Sequence, residues 1–567
     1  MLTGGGHGAG VHLRTPGRPH GATLGGGLSC AAQGKAVHPT RPVAETSGEG
    51  PPQSEEEIME ADRGIGCTVW RVARRASVCA LLAMMGVTLA AAAATPTMTD
   101  QSITDAVEDE LAFDRAVPLN DIDVRTHDGI ATLTGSVHHL LAKRRAGRIA
   151  ETIKGVRAVV NRIEVDPPWS RMDWEIESDA EDALLFDPAT ESWEIDVTVA
   201  DNIATLSGTV DSWRERELAE RVVAGVRGVA GISNGIAVDF QTTRADAEIR
   251  EEIERALAWD VLVEEERIDV AVNGGEVTLS GTVGSAAERS EAILDARVAG
   301  VTAVDSEELT VNPLLRHETQ RRPSTVIKTD DEIEAAVQDA LLYDPRVASY
   351  NVEPDVEGAW VRLRGQVATV KAKQAAEQVA RRTTGVLGVE NRLRVRAEER
   401  TDDQVGRAIR RALQRDPYVE GYQIGVAVAD RDVYLSGAVD TYFEKGRAQD
   451  IASRARGVED IHNNLDVQAT DYALVYDPYV FDYYFYDADW YDYAPFYTFE
   501  SDAEIRDDVE SELWWSPYVN EEEIAVAVDD GFVTLTGTVD SWAERLAATE
   551  NAYEGGAVWV DNDLVID

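Results

Sequence analysis

Side chains that could act as nucleophiles, metal ligands or proton carriers are few and scattered. The three cysteines are Cys30, Cys67 and Cys79, and the histidines beyond position 94 are His127, His138, His139, His317 and His462. No Ser/His/Asp or Cys/His arrangement, phosphate-cradling loop or His-x-x-x-His pair occurs. Zinc sites and activated nucleophiles depend on such groupings. His138 and His139 adjoin and read as helix-entry or surface residues rather than a metal site. Carboxylates are so abundant, at 103 Asp plus Glu, that a pair of them says nothing about general acid or base work. No catalytic residue, no cofactor and no resident metal is expected.

Chemistry of another kind is concentrated between Tyr472 and Phe499, where fourteen aromatic residues stand among aspartates. The densest part holds Tyr483, Tyr484, Phe485, Tyr486, Trp490 and Tyr491. Aromatic rings with polar tips suit a bilayer interface, a sugar-stacking surface or a partner groove. The stretch lacks the glycine and terminal glutamate of a calcium loop. These six residues are the candidate binding residues, with covering of an exposed sheet edge as the structural alternative.

The rest of the chain repeats itself. A strand-like Leu-x-Gly-x-Val recurs with its glycine at Gly135, Gly208, Gly281, Gly365, Gly437 and Gly537, separated by 73, 73, 84, 72 and 100 residues. Such periodicity marks a tandem array of small domains. Each copy reads as helix, strand, strand, helix, strand. Ile103, Val107 and Leu111, like Ile249, Ile253 and Leu257, form the apolar stripe of an amphipathic helix. Thr329 with Glu332, Thr401 with Gln404 and Ser501 with Glu504 are capping boxes that open it, although Met172 stands at this place in the second copy. Asp187-Pro188, Asp344-Pro345 and Asp416-Pro417 end it.

Period-two segments such as Ile195, Val197, Val199 then lead into turns at Asp128-Gly129, Asp201-Asn202 and Asp530-Gly531, and the glycine-bearing strand returns. A glycine at one fixed strand position implies a bulge or the close approach of another backbone. Ser212, Ser285, Thr441 and Ser541, each followed by a glutamate three residues on, open the second helix. Gly155, Gly228, Gly300, Gly385, Gly457 and Gly556 are expected to cap its end. An asparagine follows each of these by six residues, except that Ser306 replaces it in the third copy. Turn and cap chemistry explains these recurrent residues better than a shared ligand site.

The helix, the hairpin, the Val277–Val283 motif and the Arg456–Val467 segment together resemble the BON domain, named for bacterial osmotically inducible and nodulation proteins. The resemblance covers residues 99–166, 172–239, 245–312, 329–396, 401–468 and 501–567, leaving 1–94 as leader and signal segment, 313–328 as linker and 469–500 as the aromatic insert. It implies an α+β fold, an αββαβ sandwich with two helices on a three-stranded mixed sheet, repeated six times. It also implies a place in the bacterial envelope and attachment to phospholipid membranes, with no catalytic residue.

The amino-terminal region agrees with export. Arg71, Arg74 and Arg75 precede the seventeen-residue apolar run Val78–Ala94, which ends in small residues before Thr95. This pattern reads as a secretory signal, with an uncleaved anchor as the alternative. Residues 1–58, rich in Gly, Pro and Ala, are expected to precede the true start near Met59. Cleavage would leave a chain without cysteine, and Cys79 lies too early in the run for lipidation.

Charge narrows the partners. The formal net charge is −49, and the first 94 residues carry eight basic against seven acidic side chains, so the remainder holds about −50. This field repels nucleic acid and weakens contact with anionic lipid, unless salt screens it or divalent cations bridge acid to phosphate. Arginine outnumbers lysine forty-seven to seven, which would suit salt-rich surroundings. Basic clusters at Lys143-Arg144-Arg145, Arg321-Arg322, Arg381-Arg382 and Arg410-Arg411 read as solvated helix or linker surface. Domains of this size are marginal alone and gain from packing on neighbours. The segment from Pro313 to Lys328 is expected to divide the array into three plus three and to bend. Together with the resemblance, which implies the envelope and phospholipid attachment, the sequence points to a non-catalytic envelope protein binding a phospholipid surface or a membrane-bound partner multivalently under osmotic stress. A periplasmic protein-binding scaffold or spacer is the alternative.

Overall fold

The computed structural model describes residues 98–566, apart from 115, 118–121, 169, 191–193, 241–243, 314–327, 348–350, 397, 420–422 and 468–500. Six repeats share one element order. In repeat 1 the opening helix Asp100–Phe113 leads to strands Ile122–His127 and Ile130–Val137, the second helix Leu140–Glu151 and the strand Ala158–Val165. The opening helices of repeats 2 to 6 are Asp173–Phe186, Asp246–Trp259, Asp330–Tyr343, Asp402–Arg415 and Asp502–Trp515. Their second helices are Trp213–Ala224, Ala286–Asp295, Val370–Arg381, Tyr442–Ser453 and Trp542–Glu554.

In every sheet the glycine-bearing strand is central. It pairs antiparallel with the strand before it and parallel with the strand after the second helix, which makes each sheet mixed. The last strand is interrupted in repeats 2 and 4, and in repeat 3 its register shifts between Asp305 and Glu308. The pleat sends alternate residues to opposite faces. Ala131, Leu133 and Val137 are therefore buried with Ile103, Val107, Leu111, Ala142 and Ala146 from the two helices. Equivalent clusters fill the other five repeats. Burying a Leu, Ile or Val of this kind stabilises by about 1.5–3 kcal/mol.

Five of the seven expected capping boxes form in full, at Ser212, Thr329, Thr401, Thr441 and Ser501, whereas at Ser285 and Ser541 the hydroxyl caps the helix and the glutamate accepts from the residue before it, Gly284 N or Asp540 N. Glu332 N donates to Thr329 Oγ1 at 3.3 Å, and Thr329 N donates back to the Glu332 carboxylate at 2.8 Å. Ser212 and Glu215 do the same for a second helix. The motif glycines have φ between +123° and +138°, a region closed to most side chains. A Cβ at Gly281 would collide with the carbonyl oxygen of Arg267, and one at Gly437 would stand 2.7 Å from that of Gln423. Another backbone does approach closely at these glycines.

Two local expectations need correction. Gly155 and Gly228 follow the last residues of their helices, Glu151 and Ala224, by four positions instead of adjoining them. Their positive φ serves a turn that presses on the opening helix, where a Cβ would stand 2.8 Å from Ile103 Cδ1 or 2.9 Å from Ile176 Cδ1. The recurrent asparagines lie inside the last strand and tie it to the second helix. Asn391 Nδ2 donates to Lys373 O at 2.9 Å while its Oδ1 accepts from Leu393 N at 3.2 Å, and Asn463 repeats the tie to Lys445 and Leu465.

Candidate functional site

One carboxylate per repeat, not singled out in the sequence, locks the hairpin to the opening helix. Asp330, the first residue of its helix, accepts from Gly358 N and Ala359 N, both at 2.8 Å. Asp100, Asp173, Asp246, Asp402 and Asp502 accept from the corresponding turns. The donated amides hold the Asp100 and Asp330 carboxyls below the usual aspartate range. The available signal was an acid 28 or 29 residues before every hairpin turn.

The repeats dock in nested order, first with sixth, second with fifth and third with fourth. Lys154 N donates to Trp515 O at 2.9 Å, Arg227 N to Arg415 O at 2.7 Å, and Thr384 N to Trp259 O at 3.0 Å. In each case the donor immediately precedes a turn glycine, and the acceptor is the last residue of an opening helix, whose carbonyl has no partner within its own helix. Further contacts join the pairs. Trp213 Nε1 donates to Val301 O and Trp542 Nε1 to Leu387 O, both at 2.7 Å. A division into three plus three does not describe this arrangement, because helix termini in one half find their partners in the other. Most of the expected hinge, 314–327, lies outside the described residues.

With helices and turns engaged in docking, each sheet keeps one face that no described helix covers. The central strands alternate buried and accessible residues in all six repeats. At the hairpin end of that open face stand Ile130, Ile203, Trp360 and Phe532, exposed by 42, 47, 57 and 48%. Glu276 and Asp432 occupy the place in repeats 3 and 5. Phe532 is paired in register with Trp559, also exposed, and Tyr434 stacks on His462 with ring centroids 4.7 Å apart. Repeat 4 adds Arg362 and Arg364, which pair with Asp355 and Glu390. The open faces thus combine accessible apolar rings or aliphatic groups with hydroxyls and charges, a composition suited to adsorption on an interface.

The candidate residues Tyr483, Tyr484, Phe485, Tyr486, Trp490 and Tyr491 lie outside the described residues, as does the proposed signal segment. Two of the four basic clusters place an arginine between repeats: Arg144 pairs with Glu220 of the second repeat and Arg382 with Glu291 of the third, while Arg145 lies buried against Asp114 of its own repeat. Arg410 and Arg411 are exposed, as expected, and Arg321-Arg322 lies outside the described residues. His139 caps a second helix, its Nδ1 accepting from Ala142 N at 3.1 Å, and its ring meets Tyr418 of the fifth repeat edge-on at 4.3 Å. Burial holds its pKa down at about 3, so the imidazole stays neutral. Between repeats 1 and 6, Glu110, Glu512 and Glu554 come together, and burial, then repulsion by Glu554, raises the Glu110 pKa well above the usual range. No described helix is long and apolar enough to cross a membrane.

Comparison with known proteins agrees with this repeat architecture. A 145-residue stretch is 29% identical to osmotically-inducible protein Y of Escherichia coli (strain K12), covering 24% of this chain and 72% of that protein. Among solved structures, CdsD, a structural protein of the type III secretion system of Chlamydia trachomatis, is similar over 39% of this chain and 100% of its own, at 14% identity and a TM-score of 0.11. The C-terminal domain of CdsD is similar over 36% and 95% of the two chains, at 15% identity and a TM-score of 0.10. Those scores add nothing to the fold assignment. The BON domain model matches residues 99–167, 173–239, 245–313, 329–397, 401–469 and 501–567, which is most of the chain. The chain belongs to the BON domain family, with six copies of the domain.

Proposed function

We propose that this is a non-catalytic envelope protein whose open sheet faces act together to attach it to a phospholipid membrane surface or to a membrane-bound partner, supporting the envelope under osmotic stress. The observation that carries this reading is the repeated open face with Ile130, Ile203, Trp360 or Phe532 at its hairpin end. A single such face buries little and binds weakly. Several faces on one body raise the effective concentration of each after the first has bound. The likeness to a protein named for osmotic induction supports the setting.

The net charge of −49 opposes anionic lipid, so attachment is expected to strengthen with magnesium, which can bridge carboxylate to phosphate. A second reading, a protein-binding scaffold without lipid contact, draws on the acidic open face of repeat 3, where Asp269, Glu276, Asp305 and Glu308 lie on the sheet. Vesicle flotation at low and high salt, with and without magnesium, separates the two. Failure to float under every condition would remove the lipid reading and leave the scaffold.

A further inference from the structure

One helix position sets the first-to-sixth pair apart from the others. The residue just before the last apolar residue of the opening-helix stripe is Ala183, Ala256, Ala340 and Ala412 in repeats 2 to 5, but Glu110 and Glu512 in repeats 1 and 6. Docking brings like positions together. Ala183 and Ala412 line a small cleft between repeats 2 and 5, and Glu110 and Glu512 line its counterpart of about 50 Å³ between repeats 1 and 6. Two carboxylates thus stand where the other pair has two methyl groups. The second helix of repeat 6 adds a third, since one carboxylate oxygen from each of Glu110, Glu512 and Glu554 lies within 4.8 Å of the other two, and all three side chains are half-buried. The other ionisable groups lining this cleft are Asp114 and Arg145 from repeat 1 and Tyr518 and Glu550 from repeat 6. Arg145 is the one cation among them, and it lies buried against Asp114. Lys154, at the edge of the seam, is held by the Trp514 carbonyl and Glu521. Glu110 and Glu554 share a hydrogen bond, which two ionised carboxylates cannot form.

We propose that the seam between the first and sixth repeats is a proton-operated latch: a proton held between Glu110 and Glu554 lets the two ends of the array dock, and its loss opens this seam while the second and fifth repeats stay docked. Burial, then the charges of Glu554 and Glu512, raises the Glu110 pKa well above its ordinary value of 4.5. A folded-state value raised in this way makes the closed seam fully favoured below that ordinary value and weakens it as pH rises through the folded one. Opening would free Trp515, which packs against the core of repeat 1. The latch is separate from the open sheet faces and does not depend on their role.

Hydrogen exchange of the full chain at about pH 5 and about pH 9, in EDTA and corrected for the intrinsic exchange rate, tests the latch. The readouts are the Lys154 amide, which crosses the seam to Trp515 O, and the Arg227 amide, which makes the same bond from repeat 2 to Arg415 O of repeat 5. From the lower to the higher pH, protection of Lys154 should fall at least about tenfold relative to Arg227, the factor contributed by each unit between the folded and unfolded pKa values. Glu110→Gln, whose amide can still donate to Glu554 but does not titrate, should remove that dependence. The pair Glu110→Ala and Glu512→Ala, which gives this seam the residues found between repeats 2 and 5, should do the same. Circular dichroism confirms that both variants are folded. Equal protection of the wild-type Lys154 amide at the two pH values, a parallel fall at Arg227, a pH dependence that persists in either variant, or protection lost at both pH values in both variants would overturn the proposal.

Discussion

Lys154 of the first repeat closes on Trp514 of the sixth: its ammonium donates to the Trp514 carbonyl oxygen at 2.9 Å and sits 4.6 Å from the centre of the indole ring. Glu521 lies 3.8 Å from the same nitrogen, and Lys154 is 3% exposed. The two ends of the array are thereby joined through a group that has left water. Lys154→Met keeps much of the volume and removes the charge, the hydrogen bond and the cation–π contact. We expect a loss of about 1–3 kcal/mol. Hydrogen exchange should quicken in repeats 1 and 6 before the others, and uniform or unchanged protection would contradict nested docking.

Asp330 offers a test of the hairpin clamp. Asp330→Ala should accelerate exchange of the Gly358 and Ala359 amides, which lose their acceptor. The folded-state pKa lies below the ordinary value of 3.8, so its contribution is present above that pH and is lost as pH falls through the folded value. Protection of these amides in wild type should therefore fall in acid, while the alanine variant shows no matching step.

Glu151 has the opposite sign. Burial raises its pKa to about 7 from 4.5, despite a hydrogen bond from Ser290. Its ionisation costs stability progressively as pH rises between those values, and the cost is absent below about 4.5. Glu151→Gln should accordingly stabilise by about 1–3 kcal/mol at pH 8 and have little effect at pH 4.5. Denaturant midpoints at the two pH values measure this, and a constant difference would contradict the assignment.

Gly281 tests the strand geometry. Its φ of +126° and the adjacent Arg267 carbonyl leave no room for a Cβ. Gly281→Ala is expected to cost about 2 kcal/mol or more. The loss should appear first as faster exchange in the hairpin Ile268–Val283, and a neutral substitution would show that the backbone relaxes there.

Much of the repeat was legible because it rests on local rules. Thr329 and Glu332 announce a cap whatever surrounds them, and Leu133, Gly135 and Val137 describe a half-buried strand with one special residue. Docking was not legible. Lys154, Arg227 and Thr384 act through their backbone N–H groups, which every residue except proline possesses, so their side chains carry no trace of the contact. The same limit hid the role of Arg144 and Arg382, whose partners lie in other repeats. Asp330 and its five counterparts are an intermediate case, since their spacing from the turn recurs and only the geometry shows why. The open faces were partly visible: alternation separates Trp360 from Val361, but only the packing of the helices shows which side stays uncovered.

Vesicle flotation of the full chain against a variant carrying Trp360→Ser, Phe532→Ser and Trp559→Ser tests the attachment surface most directly. All three side chains are exposed, so the variant should fold with an unchanged circular dichroism spectrum. We expect the wild-type chain to float with phospholipid vesicles in magnesium and the variant to lose at least tenfold in apparent affinity. Equal flotation of the two chains, or flotation of neither at any salt or magnesium concentration, would contradict the claim that the open sheet faces hold this protein to a membrane surface.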